Sequence, residues 1–175
     1  MKKWKAVVTW IFLASLAILV QPMITVFDFP LNLTIVLVYV FAIKAPPLQS
    51  ASTSFTDVKA EIRGSALGVG IGLIEDAMSG SILGLHVLSK GLIGFISSIL
   101  FRDIFFQWTP TIGGAVIFAL TIIDGLILIL TGHFIAGTPV SGFEVAEMLL
   151  VQALLNVPLG FIIRPGQKVA AMKYV

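Results

Sequence analysis

The chain has 175 residues, of which 58% are hydrophobic and 11% charged; its mean hydropathy is +1.06 and it contains no cysteine. A soluble domain carries about a quarter of its residues as charges, so the composition excludes a soluble core and places the chain in a membrane. The missing cysteines exclude a disulfide frame, a thiol nucleophile and a thiolate metal site.

A basic start (Lys2, Lys3, Lys5) precedes residues 6–27, which carry no charge and are long enough to cross about 30 Å of hydrocarbon. This run is too long for a signal core and no small-x-small cleavage site follows, so it reads as span one. Asp28-Phe29-Pro30 is a short turn, and Pro30 suits the first turn of a helix over residues 29–43. That second span is only roughly 22 Å long, short for a full crossing, and Lys44 closes it. Residues 45–61 hold Pro46-Pro47, several Ser and Thr, and three charges; they read as the largest polar connection.

Residues 62–79 and 84–101 form a glycine-rich hairpin, spans three and four. Gly64, Gly68 and Gly72 recur every fourth residue, the small-xxx-small spacing that lets membrane helices approach closely. Gly80, Gly84, Gly91 and Gly94 extend this set of packing glycines. An aromatic stretch, 104–108, reads as interfacial. Residues 110–131 are span five, with Gly113-Gly114 near its start and Asp124 inside. A turn region with His133, Gly137 and Pro139 leads to span six, residues 143–163, which Gln152, Asn156 and Pro158 interrupt. The fold expected is an all-α membrane protein, a single-domain six-transmembrane-helix bundle with a short, irregular second span.

Positive charge sets the orientation. Ten of the 11 Lys and Arg fall at the N-terminus, in the loop from Lys44 to Arg63, at Arg102, or at the C-terminal end, all on one face of a six-span layout. The opposite connections have none, so both termini are expected in the cytoplasm. The pI near 9.0 reflects these clusters. No basic stripe interleaved with aromatics is present, and nucleic acid is not an expected partner.

Charges within the apolar runs are the candidate functional groups. Asp76 and Lys90 lie at similar depth on antiparallel helices, roughly 18–20 Å from the cytoplasmic ends, and are expected to pair. Glu75 and His86 flank the same bend; Asp124 and Asn156 reach a comparable level. Two readings stay open: a structural ion pair that holds the hairpin, or a ligand or partner site facing outwards. His86 and His133 fit interfacial positions better than a metal site, since no ligand spacing accompanies them. Glu144 and Glu147 suit the N-terminus of the sixth helix. Gly68-Val69-Gly70 with Gly72 echoes a dinucleotide loop but lacks a preceding strand. No nucleophile–base set or phosphate loop is visible, so neither enzyme activity nor a cofactor is expected.

The segment G-L-I-E-D-A-M-S-G-S-I-L-G-L-H-V-L-S-K-G-L-I-G-F, from Gly72 to Phe95, resembles the rod-shape-determining membrane protein family MreD. Chain size, six spans, the short second span and the basic tail fit the same family. The resemblance implies a non-enzymatic subunit of the bacterial elongation machinery in the inner membrane, surrounded by lipid. Its implied partners are an MreC-like bitopic protein, RodA and a class B penicillin-binding protein, with MreB contacted indirectly. The family is also similar in fold to the substrate-binding S-components of energy-coupling-factor vitamin transporters. That likeness implies a second function, a small-molecule-binding transporter subunit.

Overall fold

A computed structural model of the chain describes residues 2–26, 29–44, 55–80, 82–100, 109–137 and 142–163. Among them are six α-helices: α1 (Lys2–Val20), α2 (Leu33–Lys44), α3 (Phe55–Ser79), α4 (Leu85–Ile99), α5 (Pro110–Ala136) and α6 (Gly142–Ile162). A 3₁₀ turn, Gln21–Met23, and a minimal antiparallel ladder, β1 (Thr25–Val26) with β2 (Phe29–Pro30), join α1 to α2. The described residues are therefore all-helical apart from this one ladder. Among them two helices, α5 and α6, are long and apolar enough to cross a membrane. The loop prolines 46 and 47, the aromatic stretch 104–108, Pro139 and the basic tail lie outside the described residues.

Local chemistry explains where the helices stop. α1 ends before Gln21-Pro22, because Pro22 has no N–H to continue the ladder. The second helix starts later than the pattern predicts. Phe29-Pro30 is strand rather than first turn, and Asn32 instead caps α2 through its side chain, which accepts from the Ile35 N–H at 3.2 Å. Thr109 caps α5 in the same way, accepting from Ile112 N–H at 3.2 Å, with Pro110 at the first helical position. α5 then runs five residues past the predicted boundary of 131, to Gly137, whose φ of 62° forms the left-handed cap. His133 is thus in the last turn of a helix and not in a loop.

The hairpin of α3 and α4 is the most extensive helix contact, and α5 with α6 the next. Gly64, Gly68 and Gly72 form three rungs against α4. A Cβ on Gly64 would lie 2.6 Å from the Gly94 carbonyl, one on Gly68 would collide with the Lys90 carbonyl, and one on Gly72 with His86. Gly91 and Gly94 supply the matching clearance from α4. Gly80 and Gly84 do not belong to this contact. Both take positive φ, 63° and 113°, at the bend, and a Cβ on either would meet nothing within 4 Å. A second close approach joins α5 and α6, where a Cβ on Gly160 would stand 2.5 Å from the Gly113 carbonyl.

α2 sits in the middle of this arrangement. Ile35, Val38 and Tyr39 are fully buried beside Ala14 of α1, Ile93 of α4, and Val116, Ile117 and Leu120 of α5. Trp10 of α1 meets Phe41 edge to face, with ring centroids 5.1 Å apart. α6, by contrast, is mostly uncovered, with 17% of its apolar window buried.

Because backbone fills the space at Gly68, Gly68→Leu should destabilise the detergent-solubilised protein by about 3 kcal/mol or more. Gly70 faces open space on the same helix, so Gly70→Leu should leave the unfolding midpoint unchanged or raise it.

Candidate functional site

Nine buried polar residues of the bundle interior form one connected group, and Ser97 lies outside it. Asn32, Thr34, Glu75, Asp76, Ser89, Lys90, Thr121, Asp124 and Asn156 are all buried. They come from α2 and the residue before it, and from α3, α4, α5 and α6, so every helix except α1 contributes.

Asp124, near the midpoint of α5, is the hub. Its carboxylate accepts two hydrogen bonds from Lys90 Nζ, at 2.9 and 2.7 Å, and another from Ser89 Oγ. Asn32 Nδ2 donates to it at 2.9 Å. A charge with 1% exposure needs this many donors, since desolvating a carboxylate without compensation costs several kcal/mol. Asn32 is fully used. Its Oδ1 accepts from Thr34 Oγ1 at 2.9 Å as well as from Ile35 N–H, and its own N–H donates to Asn156 Oδ1 at 3.2 Å. Asn156 Nδ2 in turn donates to Thr121 Oγ1 at 3.2 Å.

These bonds place the start of α2 deep in the bundle. Asn32 reaches the middle of α5 and the later part of α6, so α2 enters from within the protein. Irregular backbone and a helix N-terminus are tolerated there because side chains satisfy the open N–H groups. The positive end of the α2 dipole faces Glu75 and Asp124, which stabilises both carboxylates.

Asp76 and Lys90 do not pair, contrary to the expectation from their depths. Asp76 accepts instead from three backbone N–H groups where α4 begins: Gly84 at 2.7 Å, His86 at 3.0 Å and Val87 at 3.4 Å. His86 Nδ1 adds a fourth contact at 2.7 Å. The first N–H groups of a helix have no partner within it, and Asp76 stands opposite them. Lys90, one turn further along α4, reaches α5 and also lies 3.6 Å from Glu75 Oε2. Glu75 accepts from Thr34 Oγ1 at 3.4 Å, and its Oε1 is 4.0 Å from His86 Nε2.

Asp124 and Asn156 thus join the group, as their depth suggested, whereas His133 does not. It is exposed at the end of α5 beside Phe134. Glu144 and Glu147 are exposed on the first turns of α6. No group of three or more metal-ligating side chains occurs among the described residues. Asn32, Thr34, Ser89 and Thr121 escaped the sequence reading. Asn32 directly before an uncharged run carries an N-cap signal, which a helix begun at residue 29 hides. Comparison with protein families, characterised proteins and solved structures finds no match to this chain.

Lys90→Met should cost about 3–5 kcal/mol, because Asp124 is left buried and unpaired. Lys90→Met with Asp124→Asn should recover part of that loss, and unfolding in detergent should show stronger coupling for this pair than for Lys90 with Asp76.

Proposed function

We propose that the chain is a non-enzymatic, multi-pass membrane subunit that organises lateral cell-wall synthesis through helix–helix contacts, as its likeness to MreD implies. One observation carries this reading: three of the four buried charges among the described residues are committed to bonds between helices. Lys90, Asp124 and Asp76 tie α4 to α5 and α3, which is the work of a scaffold rather than of a reaction centre. The outward faces are broad and apolar, as on α1 with Ile11, Phe12 and Leu19, and on α6 with Leu150, Leu154 and Ile162. Such faces suit lipid and the spans of partner proteins. On this reading the partners are an MreC-type bitopic protein, RodA and a class B penicillin-binding protein, with MreB reached indirectly.

All six helices cross or enter the inner membrane in this proposal, with both termini cytoplasmic. α2 is roughly 18 Å long and serves as a half-span whose N-terminus opens inside the bundle. α3 is charged at both ends, and the pair at its C-terminal end, Glu75 and Asp76, is held by neighbouring helices. The absence of native cysteine makes the topology easy to test. Thr53→Cys and Thr138→Cys, both outside the described residues, should label from opposite sides of intact cells; labelling of both from outside refutes the orientation.

Depleting the protein from a rod-shaped host should give round cells while precursor synthesis continues. Normal rods, with a growth defect cured by an added vitamin, would favour a transporter subunit instead.

A further inference from the structure

A cleft of about 380 Å³ opens where α1 and α3 end and α4 begins. Its apolar wall is built from Ile18, Leu19 and Met78, and its polar wall from Gln21, Glu75 and His86. Of these residues only Glu75 is shared with the network around Lys90 and Asp124. The volume is that of a small-ligand site.

The polar wall offers acceptors. Gln21 Oε1 is buried without a hydrogen-bond donor, and so is Glu75 Oε2. His86 Nδ1 is engaged by Asp76 at 2.7 Å. Its Nε2 lies on the same wall, 4.0 Å from Glu75 Oε1. Charge balance points the same way. Among the described residues the interior holds three carboxylates, Glu75, Asp76 and Asp124, against one lysine, with His86 beside Asp76 at 2.7 Å and Glu75 at 4.0 Å. Asp76 is saturated by the amides of α4, and Asp124 by Lys90, Ser89 and Asn32. Glu75 shares Lys90 only at 3.6 Å and accepts one hydroxyl at 3.4 Å, and its side chain is 9% exposed. It is the least compensated buried charge, and it faces the cleft.

We propose that this cleft binds a primary alkylammonium group. An R–NH₃⁺ head has a positive charge, three donors and no acceptor, matching the Glu75 carboxylate and Gln21 Oε1, while Ile18, Leu19 and Met78 receive the alkyl portion. A metal ion would find only two strong ligands, Glu75 and His86. A quaternary ammonium would look for an aromatic cage, and among the described residues no Phe, Tyr or Trp lines the cleft. Both a soluble amine and the ethanolamine headgroup of a phospholipid carry the required chemistry. The site goes beyond the scaffold role and does not rest on it.

The test uses the full chain in phosphatidylglycerol nanodiscs, with n-propylammonium chloride as the probe and thermal unfolding as the readout. The midpoint should rise saturably with propylammonium, and not with equal sodium chloride, 1-propanol or trimethylpropylammonium. Gln21→Leu, at the cleft edge and outside the buried network, should weaken the apparent Kd about tenfold, the loss of one charge-assisted hydrogen bond. Glu75→Gln should abolish the shift where that variant folds. In phosphatidylethanolamine nanodiscs, a raised midpoint that added propylammonium no longer moves assigns the site to the lipid headgroup. Behaviour like that in phosphatidylglycerol assigns it to a soluble amine. A response no larger than that to sodium chloride, or one that Gln21→Leu leaves unchanged, overturns the proposal.

Discussion

A carboxylate buried at the centre of a helical bundle has to be met by donors from several directions, and Asp124 is such a group. Lys90, Ser89 and Asn32 converge on it from α4 and from the head of α2. Asn32 then passes the constraint on to α6 through Asn156. A position that satisfies Asp124 therefore sets the relative placement of four helices at once. Moving any of them by a few ångströms would leave a charge or a polar group without a partner in a low-dielectric interior, where each such loss is expensive. The apolar core around Ile35, Ile93 and Leu120 supplies contact area without that directional demand.

The glycine rungs of α3 and α4 serve the same end by another route. Gly68 lies against the Lys90 carbonyl and Gly72 against His86, so the backbones approach at the very level where the polar side chains act. With α3 so close, the α4 backbone faces α3 and the Lys90 side chain is left to reach α5. The same closeness puts Asp76 within reach of the first N–H groups of α4. Close packing and polar bonding are two results of one geometry. α5 and α6 repeat the device at Gly113 and Gly160.

This division of labour shapes what the molecule offers its surroundings. The interior polar groups are directed inwards, and large apolar side chains such as Phe12 and Leu154 face out. Glu75 stands at the border of the two regimes. It contributes to the network through Thr34 and Lys90, yet also lines the cleft between α1 and α3. A bundle held by internal bonds can keep such an edge open, since the other carboxylates carry the helix contacts.

Much of the architecture was legible in the sequence. Apolar run lengths located six helices, and the four-residue glycine spacing marked the face along which α3 meets α4. The shared depth of Asp124 and Asn156 also placed them in the polar layer. These features depend on local pattern, and the 3.6-residue period converts them directly into a helix and a face. Pairing did not follow from pattern. Depth alone put Asp76 beside Lys90, but depth has no azimuth, and backbone N–H groups compete for a carboxylate without any trace in residue identity. Only the tertiary structure decided that α4 begins opposite Asp76, that α2 starts inside the bundle at Asn32, and that Lys90 therefore turns to Asp124. The reason is that each choice depends on where a helix end falls in space, and that is set by all the neighbouring helices together.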